Sequence, residues 1–311
     1  MASQHYTVSA ESTPGAASPQ AQDRQARRRE ISARLDSALD EVLADGSAFR
    51  RWLDLQAKFH RYSFANCMMI AMQCRDATQV AGYRRWQELG RYVRKGEHAI
   101  YIWAPSMYKR RPKAGEPEPD ADAEPEYVRG FVLVPVFDVA QTDGEPLPDL
   151  NWRAAGDAPA ALADALGAAA VRLGFALGEL AADDEADGRA RHETRELLVK
   201  PGLAGAQMAR TLAHELAHLL LHGDAETRPR ARELRELEAD SAAYIALAHF
   251  GLDCAVNTAE YIAAYLGESK VKLALKQCAD SIAGAAEKII DAVETALAAQ
   301  ADAPALRGVA A

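Results

Sequence analysis

Residues 211–223 read Thr211-Leu-Ala-His214-Glu215-Leu-Ala-His218-Leu-Leu-Leu-His222-Gly223. The run is apolar enough for a buried helix, yet it carries three histidines and a glutamate. Histidines at i and i+4 are about 400° apart in helix rotation, so both imidazoles leave one face, one turn apart. That spacing lets His214 and His218 hold a single tetrahedral ion at about 2.0–2.1 Å. Glu215 is offset by one residue and reaches a water beside the ion without ligating it, the position of a general base. Polar groups on the inner face of such a helix are costly unless an ion satisfies them.

Downstream lies Arg235-Glu236-Leu237-Glu238-Ala239-Asp240-Ser-Ala-Ala-Tyr244, on what reads as the next helix. Glu236 is the expected third ligand. Asp240, one turn on, is expected to accept a hydrogen bond from a ligand histidine and so fix its tautomer. Glu238 is the rival ligand; it points about 200° away from Glu236 and has no acid four residues later. A salt-bridged surface helix would account for Glu233 and Glu238, but it leaves Asp240 without a partner in an apolar stretch. His222, one further turn along the first helix, is a candidate for substrate binding or oxyanion support, against a capping role or one behind a ligand. Tyr244 is a candidate oxyanion donor, against a core tyrosine. Two histidines and one glutamate favour zinc over other divalent ions, one per chain. Just upstream, 194–200 reads as a strand, expected as the edge on which an extended peptide could pair.

The remaining pattern predicts an α+β protein of two domains. A tail at 1–21 precedes a domain at 22–148, a linker at 149–159, a mostly helical domain at 160–300 and a second tail at 301–311. In the first domain, apolar residues at three- and four-residue spacing predict a helix over 22–60, broken near Gly46. Helices follow at 65–73 and 81–89, with strands at 99–103, ended by Pro105, and at 131–137. The acidic, proline-rich run at 109–126 predicts a solvated loop. In the second domain, helices are expected at 160–174, 204–222, 231–249, 256–266 and 269–299. The opening residues have neither a basic nor an apolar leader segment. No apolar stretch approaches the ~18 residues of a membrane helix. Four scattered cysteines, with no CxxC pair, argue against a disulfide framework and fit a cytoplasmic protein with no membrane partner.

The net charge of −9 is unevenly spread. Residues 24–113 hold 19 Lys/Arg against 9 Asp/Glu, about +10 (19 − 9), which leaves about −19 for the rest (−9 − 10). A basic domain beside an acidic one suggests that the first meets a polyanion. Arg84, Arg85, Arg91, Arg94 and Lys95 lie among Tyr83, Trp86 and Tyr92, with Tyr101 and Trp103 on the following strand. Cations for phosphates beside aromatic faces for unpaired bases are the elements of a sequence-tolerant single-strand site. Arg84, Arg85, Trp86, Arg91, Tyr92, Arg94 and Lys95 are therefore the candidate contacts to single-stranded DNA, with core packing the competing reading for Trp86 and Trp103.

Four ordered blocks carry a family resemblance: Tyr62-Ser-Phe-Ala-Asn66, Ala77-Thr-Gln-Val-Ala-Gly-Tyr-Arg-Arg-Trp86, Gly90-Arg-Tyr-Val-Arg-Lys-Gly-Glu97 and Pro135-Val-Phe-Asp-Val-Ala-Gln-Thr142. They resemble the ArdC-type N-terminal single-stranded-DNA-binding domain of antirestriction proteins. The second half is similar to the zincin domain of the ArdC and ImmA/IrrE-like metallopeptidases. That resemblance implies zinc at His214, His218 and Glu236, and catalysis by Glu215 on an unidentified peptide or protein substrate. His218-Leu-Leu-Leu-His222 is closer to the ImmA-like form than to some ArdC proteins. Two other readings compete: a DNA-binding antirestriction protein with a structural metal, and a regulatory protease that cleaves a repressor.

Overall fold

The structure is a computed structural model that describes residues 46–108, 127–147, 158–223, 232–252 and 268–302. The expected helix over 22–45, the acidic loop, most of the linker, the helix at 256–266, the first tail and all but residues 301–302 of the second lie outside the described residues. Within them the architecture is α+β, with helices and three small sheets.

The first part opens with α1 (Gly46–Lys58) and α2 (Phe64–Gln73). The N-cap Ser63 hydroxyl accepts from the Asn66 amide and starts α2. Then come β1 (Val80–Ala81), α3 (Tyr83–Glu88), β2 (Arg91–Val93), β3 (Ile100–Tyr108), β4 (Tyr127–Asp138) and β5 (Thr142–Gly144). The strands form an antiparallel β1-β4-β3 sheet and a β2-β5 ribbon. The outer edge of β3 is covered by amide side chains from α2. Asn66 bonds both the N–H and C=O of Trp103, each at 2.8 Å, and Gln73 does the same for Tyr101. This pairing corrects the expectation that Pro105 ends the strand. Residues 101 and 103 turn their N–H groups outward, so 105 does too, and a proline there costs no ladder bond. The strand continues to Tyr108.

The second part holds α4 (Ala158–Arg172), β6 (Ala176–Glu179), β7 (Gly188–Arg191), β8 (Glu196–Val199), α5 (Gly205–Leu221), α6 (Arg232–His249) and α7 (Glu268–Asp302). Strand β8 is where the sequence places it, but it is not an edge. It pairs in parallel with β6 and antiparallel with β7. Its three buried residues, Leu197, Leu198 and Val199, explain this, because a strand covered on both faces belongs at the centre. The edge nearer α5 is β7, whose Gly-Arg-Ala-Arg sequence alternates but holds no large apolar residue to mark it as a strand.

One apolar core runs across the expected linker. Trp52, Leu53, Ala57, Phe64 and Met68 pack in the same cluster as Leu212, Leu216, Leu237, Ile245, Ile282 and Ile289. Polar contacts reinforce the join: Arg61 lies 3.4 Å from Asp291, and His249 joins the Ala57 carbonyl and Glu294. The magnitudes decide which matters more. Exposed ion pairs contribute ~0–1 kcal/mol, whereas a fully buried large apolar side chain contributes ~1.5–3 kcal/mol. Trp52 and Leu53 therefore anchor α1 on the helical domain. A smaller core of Phe59, Cys67, Ile70, Val80, Ile100, Ile102 and Val136 lies between α2 and the first sheet.

Candidate metal centre

Helices α5 and α6 meet through small residues. Ala213 and Ala217 on one, and Ala239, Ala242, Ala243 and Ala246 on the other, are all buried. Small side chains let helix backbones approach closely, and His214, His218 and Glu236 come together across the two helices. Their donor atoms all lie within 4.8 Å of one another. The two Nε2 atoms are 3.0 Å apart. Glu236 Oε2 is 3.5 Å from His214 Nε2 and 3.4 Å from His218 Nε2. Tetrahedral donors around an ion at 2.0–2.1 Å would be about 3.3–3.4 Å apart. The three residues therefore fit a metal ion, and Glu236 rather than Glu238 faces the two imidazoles.

Each ligand histidine is held from behind. His214 Nδ1–H donates to Asp240 Oδ1 at 2.8 Å. His218 Nδ1 lies 3.0 Å from His222 Nδ1, and His222 Nε2 lies 2.9 Å from Glu238 Oε2. One expectation is corrected, and of the two readings of His222 the one behind a ligand histidine fits. Glu238 is no surface ion-pairing group: it is buried against His222, because position 238 turns into the helix–helix contact. His222 is buried as well and faces His218, so it has no open side for a substrate. Tyr244 is also buried, its hydroxyl donates to Asp54 on α1, and Arg50 stacks 4.3 Å from its ring centre. That hydroxyl is engaged away from an oxyanion role.

Glu215 stands beside the cluster without joining it. Burial raises its pKa, opposed by His214 and His218, and the Ala190 N–H of β7 donates to its carboxylate. Gly188 makes this approach feasible. A Cβ there would lie 2.5 Å from Thr211 Cγ2 and 2.7 Å from Glu215 Cγ. Neither Gly188 nor Ala190 stands out in the sequence; a glycine opening a strand next to the site helix is the one available signal.

The candidate nucleic-acid residues divide. Trp86 is 2 % exposed and its indole N–H donates to the Phe137 carbonyl at 2.9 Å, so it is core and not a stacking face. Arg91 ties β2 to β5 through the Thr142 hydroxyl and carbonyl. Arg94 is joined to Glu97, Asp143 and the Ala140 carbonyl, and Arg85 pairs with Glu88. Arg84 and Lys95 are exposed, and Tyr83 and Tyr92 are 50 % and 58 % exposed. Trp103 is held on α2 through its backbone, as described above.

Two imidazoles and a carboxylate on adjacent helices, with Glu215 next to the first imidazole, form a group that could hold a metal ion through two histidines and one glutamate. Residues 25–137 match the N-terminal domain of anti-restriction factor ArdC, and residues 168–274 match the IrrE N-terminal-like domain of Peptidase_M78. The chain is thus similar to ArdC over its first part and to the IrrE N-terminal-like domain over its second. Two crystal structures of the antirestriction ArdC protein from the R388 plasmid are similar to it. The metal-free one has a TM-score of 0.44 and 24 % identity, over 76 % of this chain and 85 % of that one. The Mn(II)-bound one has a TM-score of 0.45 and 21 % identity, over 85 % of this chain and 98 % of that one. No curated protein matches the sequence. Among the described residues, no helix is long and apolar enough to cross a membrane.

The electrostatics of the centre lead to a measurable consequence. Burial lowers the His214 pKa, but hydrogen bonds to Asp240 and Glu236 outweigh it and push it up to about 10. The hydrogen bond from His214, with the His218 imidazole beside it, holds Glu236 far below the ordinary carboxylate range. Without a metal, His214 is thus protonated at neutral pH, and an incoming ion must displace that proton. Metal uptake between pH 7 and 8 is expected to release about one proton, with apparent affinity rising about tenfold per pH unit. Calorimetry in two buffers of different ionisation heat measures this. Uptake with no proton release would contradict it.

Proposed function

We propose that the second domain is a zinc-dependent endopeptidase and the first a single-stranded-DNA-binding module, together acting as an antirestriction protein. The observation that carries the peptidase reading is the convergence of three donors with Glu215 beside them but outside the ligand set. Structural zinc sites close with four protein ligands, whereas catalytic sites keep a position open. Among the described residues, three donors converge here, which supports catalysis over a structural ion.

His214, His218 and Glu236 would hold the ion, which when bound supplies Lewis acidity to the scissile carbonyl and to the attacking water. Glu215 takes the proton from that water and returns it to the leaving amine. Its raised pKa suits a group that must do both. The Ala190 N–H orients the carboxylate, and so places it at the outer edge of β7. That edge has no partner strand among the described residues, so an extended peptide can add there. Glu215→Gln is expected to keep the bound zinc while peptide hydrolysis falls about 10²–10⁴-fold. Hydrolysis of a quenched-fluorescence peptide library, read beside metal content, checks this. Full activity in the variant would remove Glu215 from the mechanism.

For the first domain, the supporting features are the basic charge and the exposed Tyr83, Arg84, Tyr92 and Lys95 around α3 and β2. Aromatic faces can stack on bases while the two cations meet phosphates. Replacing Tyr83 and Tyr92 by Ala is expected to cost ~1–3 kcal/mol per stacked base in oligonucleotide binding. Replacing Arg84 and Lys95 by Ala should lower the salt dependence by ~0.7 per lost phosphate contact. Fluorescence anisotropy across a salt series measures both, and binding unchanged in all four variants would place the DNA surface elsewhere.

A further inference from the structure

The pair behind His218 differs from the one behind His214. Asp240, which supports His214, is 31 % exposed, whereas His222 and Glu238 are each 1 % exposed. A buried imidazole and carboxyl are expensive to desolvate, and well-packed apolar side chains of similar size are often at least as stabilising. His222 follows Leu219-Leu-Leu221 at the end of α5, where a fourth leucine would continue the apolar run. The polar pair is thus not explained by packing.

Its geometry points at His218. A carboxylate accepts, so the hydrogen between Glu238 Oε2 and His222 Nε2 belongs to the imidazole. A neutral imidazole with hydrogen on Nε2 presents a lone pair at Nδ1. That lone pair faces His218 Nδ1, which must then be the N–H donor. His218 Nε2 is left with its lone pair directed at His214 and Glu236. The order Glu238, His222, His218 therefore selects one tautomer and holds the ring by a hydrogen bond that solvent does not compete for.

We propose that His222 and Glu238 are positioning residues that fix His218 as a metal ligand through a buried two-step hydrogen-bond chain. The inference rests on the metal-centre reading above. It assigns to the domain a second, enclosed support beside the partly exposed Asp240, so that both imidazoles are oriented before an ion arrives. Partners of this kind typically change metal affinity 10- to 100-fold when lost.

The test uses the full chain, zinc competition against a chelator, and cobalt(II) absorption as a readout of ligand geometry. His222→Leu should lower zinc affinity about 10- to 100-fold and alter the cobalt spectrum, while the metal-free protein melts at the same temperature or higher. His222→Asn, which keeps an acceptor near the Nδ1 position, should recover part of the affinity. Glu238→Gln, which keeps an acceptor but removes the charge, should fall between the His222→Leu variant and the unaltered protein. Unchanged affinity and cobalt spectrum in all three variants would overturn the proposal, as would a loss of metal-free stability with affinity per folded molecule preserved. If the unaltered protein takes up neither zinc nor cobalt, the metal-centre reading itself fails and the proposal falls with it.

Discussion

The Nε2 atoms of His214 and His218 and the Oε2 of Glu236 are electron-pair donors that converge within 3.5 Å, and the arrangement requires positive charge between them. A proton on His214 meets that requirement in the metal-free protein, and a divalent ion meets it better because it engages all three. The surrounding structure serves this convergence. Alanines on the facing sides of α5 and α6 set the approach of the helices, and each imidazole is held at its far nitrogen. Strand β7 comes close enough for a backbone N–H to orient Glu215, which requires glycine at 188.

Helix α6 also connects this centre to the first domain. Glu236, Asp240 and Tyr244 recur at four-residue intervals and so share a face. The first is a donor of the cluster and the second supports His214. The third receives α1, through Asp54 at its hydroxyl and Arg50 over its ring. Trp52 and Leu53 of α1 enter the same core. The helix that carries Glu236 is therefore packed directly against the N-terminal half of the chain, and the two matched regions share an interior.

The grouping of the candidate metal ligands was legible because its chemistry is local. His214, Glu215 and His218 need only helix periodicity, and the Glu236–Asp240 spacing distinguishes a ligand and its support from Glu238. What lay beyond the sequence depended on packing. Glu238 reads as a surface acid beside four arginines, and nothing local reveals that position 238 turns into the interhelical contact to meet His222. Strand β8 was visible as an apolar run, but its central place depends on β6 and β7, two short glycine-containing strands with few large apolar residues. Trp86, Arg91 and Arg94 show the same limit. A basic, aromatic stretch resembles a nucleic-acid surface whether its side chains face solvent or, like Trp86 and Arg91, hold the domain's own backbone. The block around Asp138 is similarly structural: its buried carboxylate accepts from Thr78, Gln79 and Ala140 and joins β1 to the turn after β4.

The most direct test of the central claim is X-ray absorption at the zinc edge on the zinc-loaded full chain. The account predicts one ion per chain with two imidazole nitrogens and one carboxylate oxygen at about 2.0–2.2 Å, plus a further light-atom ligand from solvent. A sulfur-containing shell, or a protein that retains no zinc after dialysis, would contradict it.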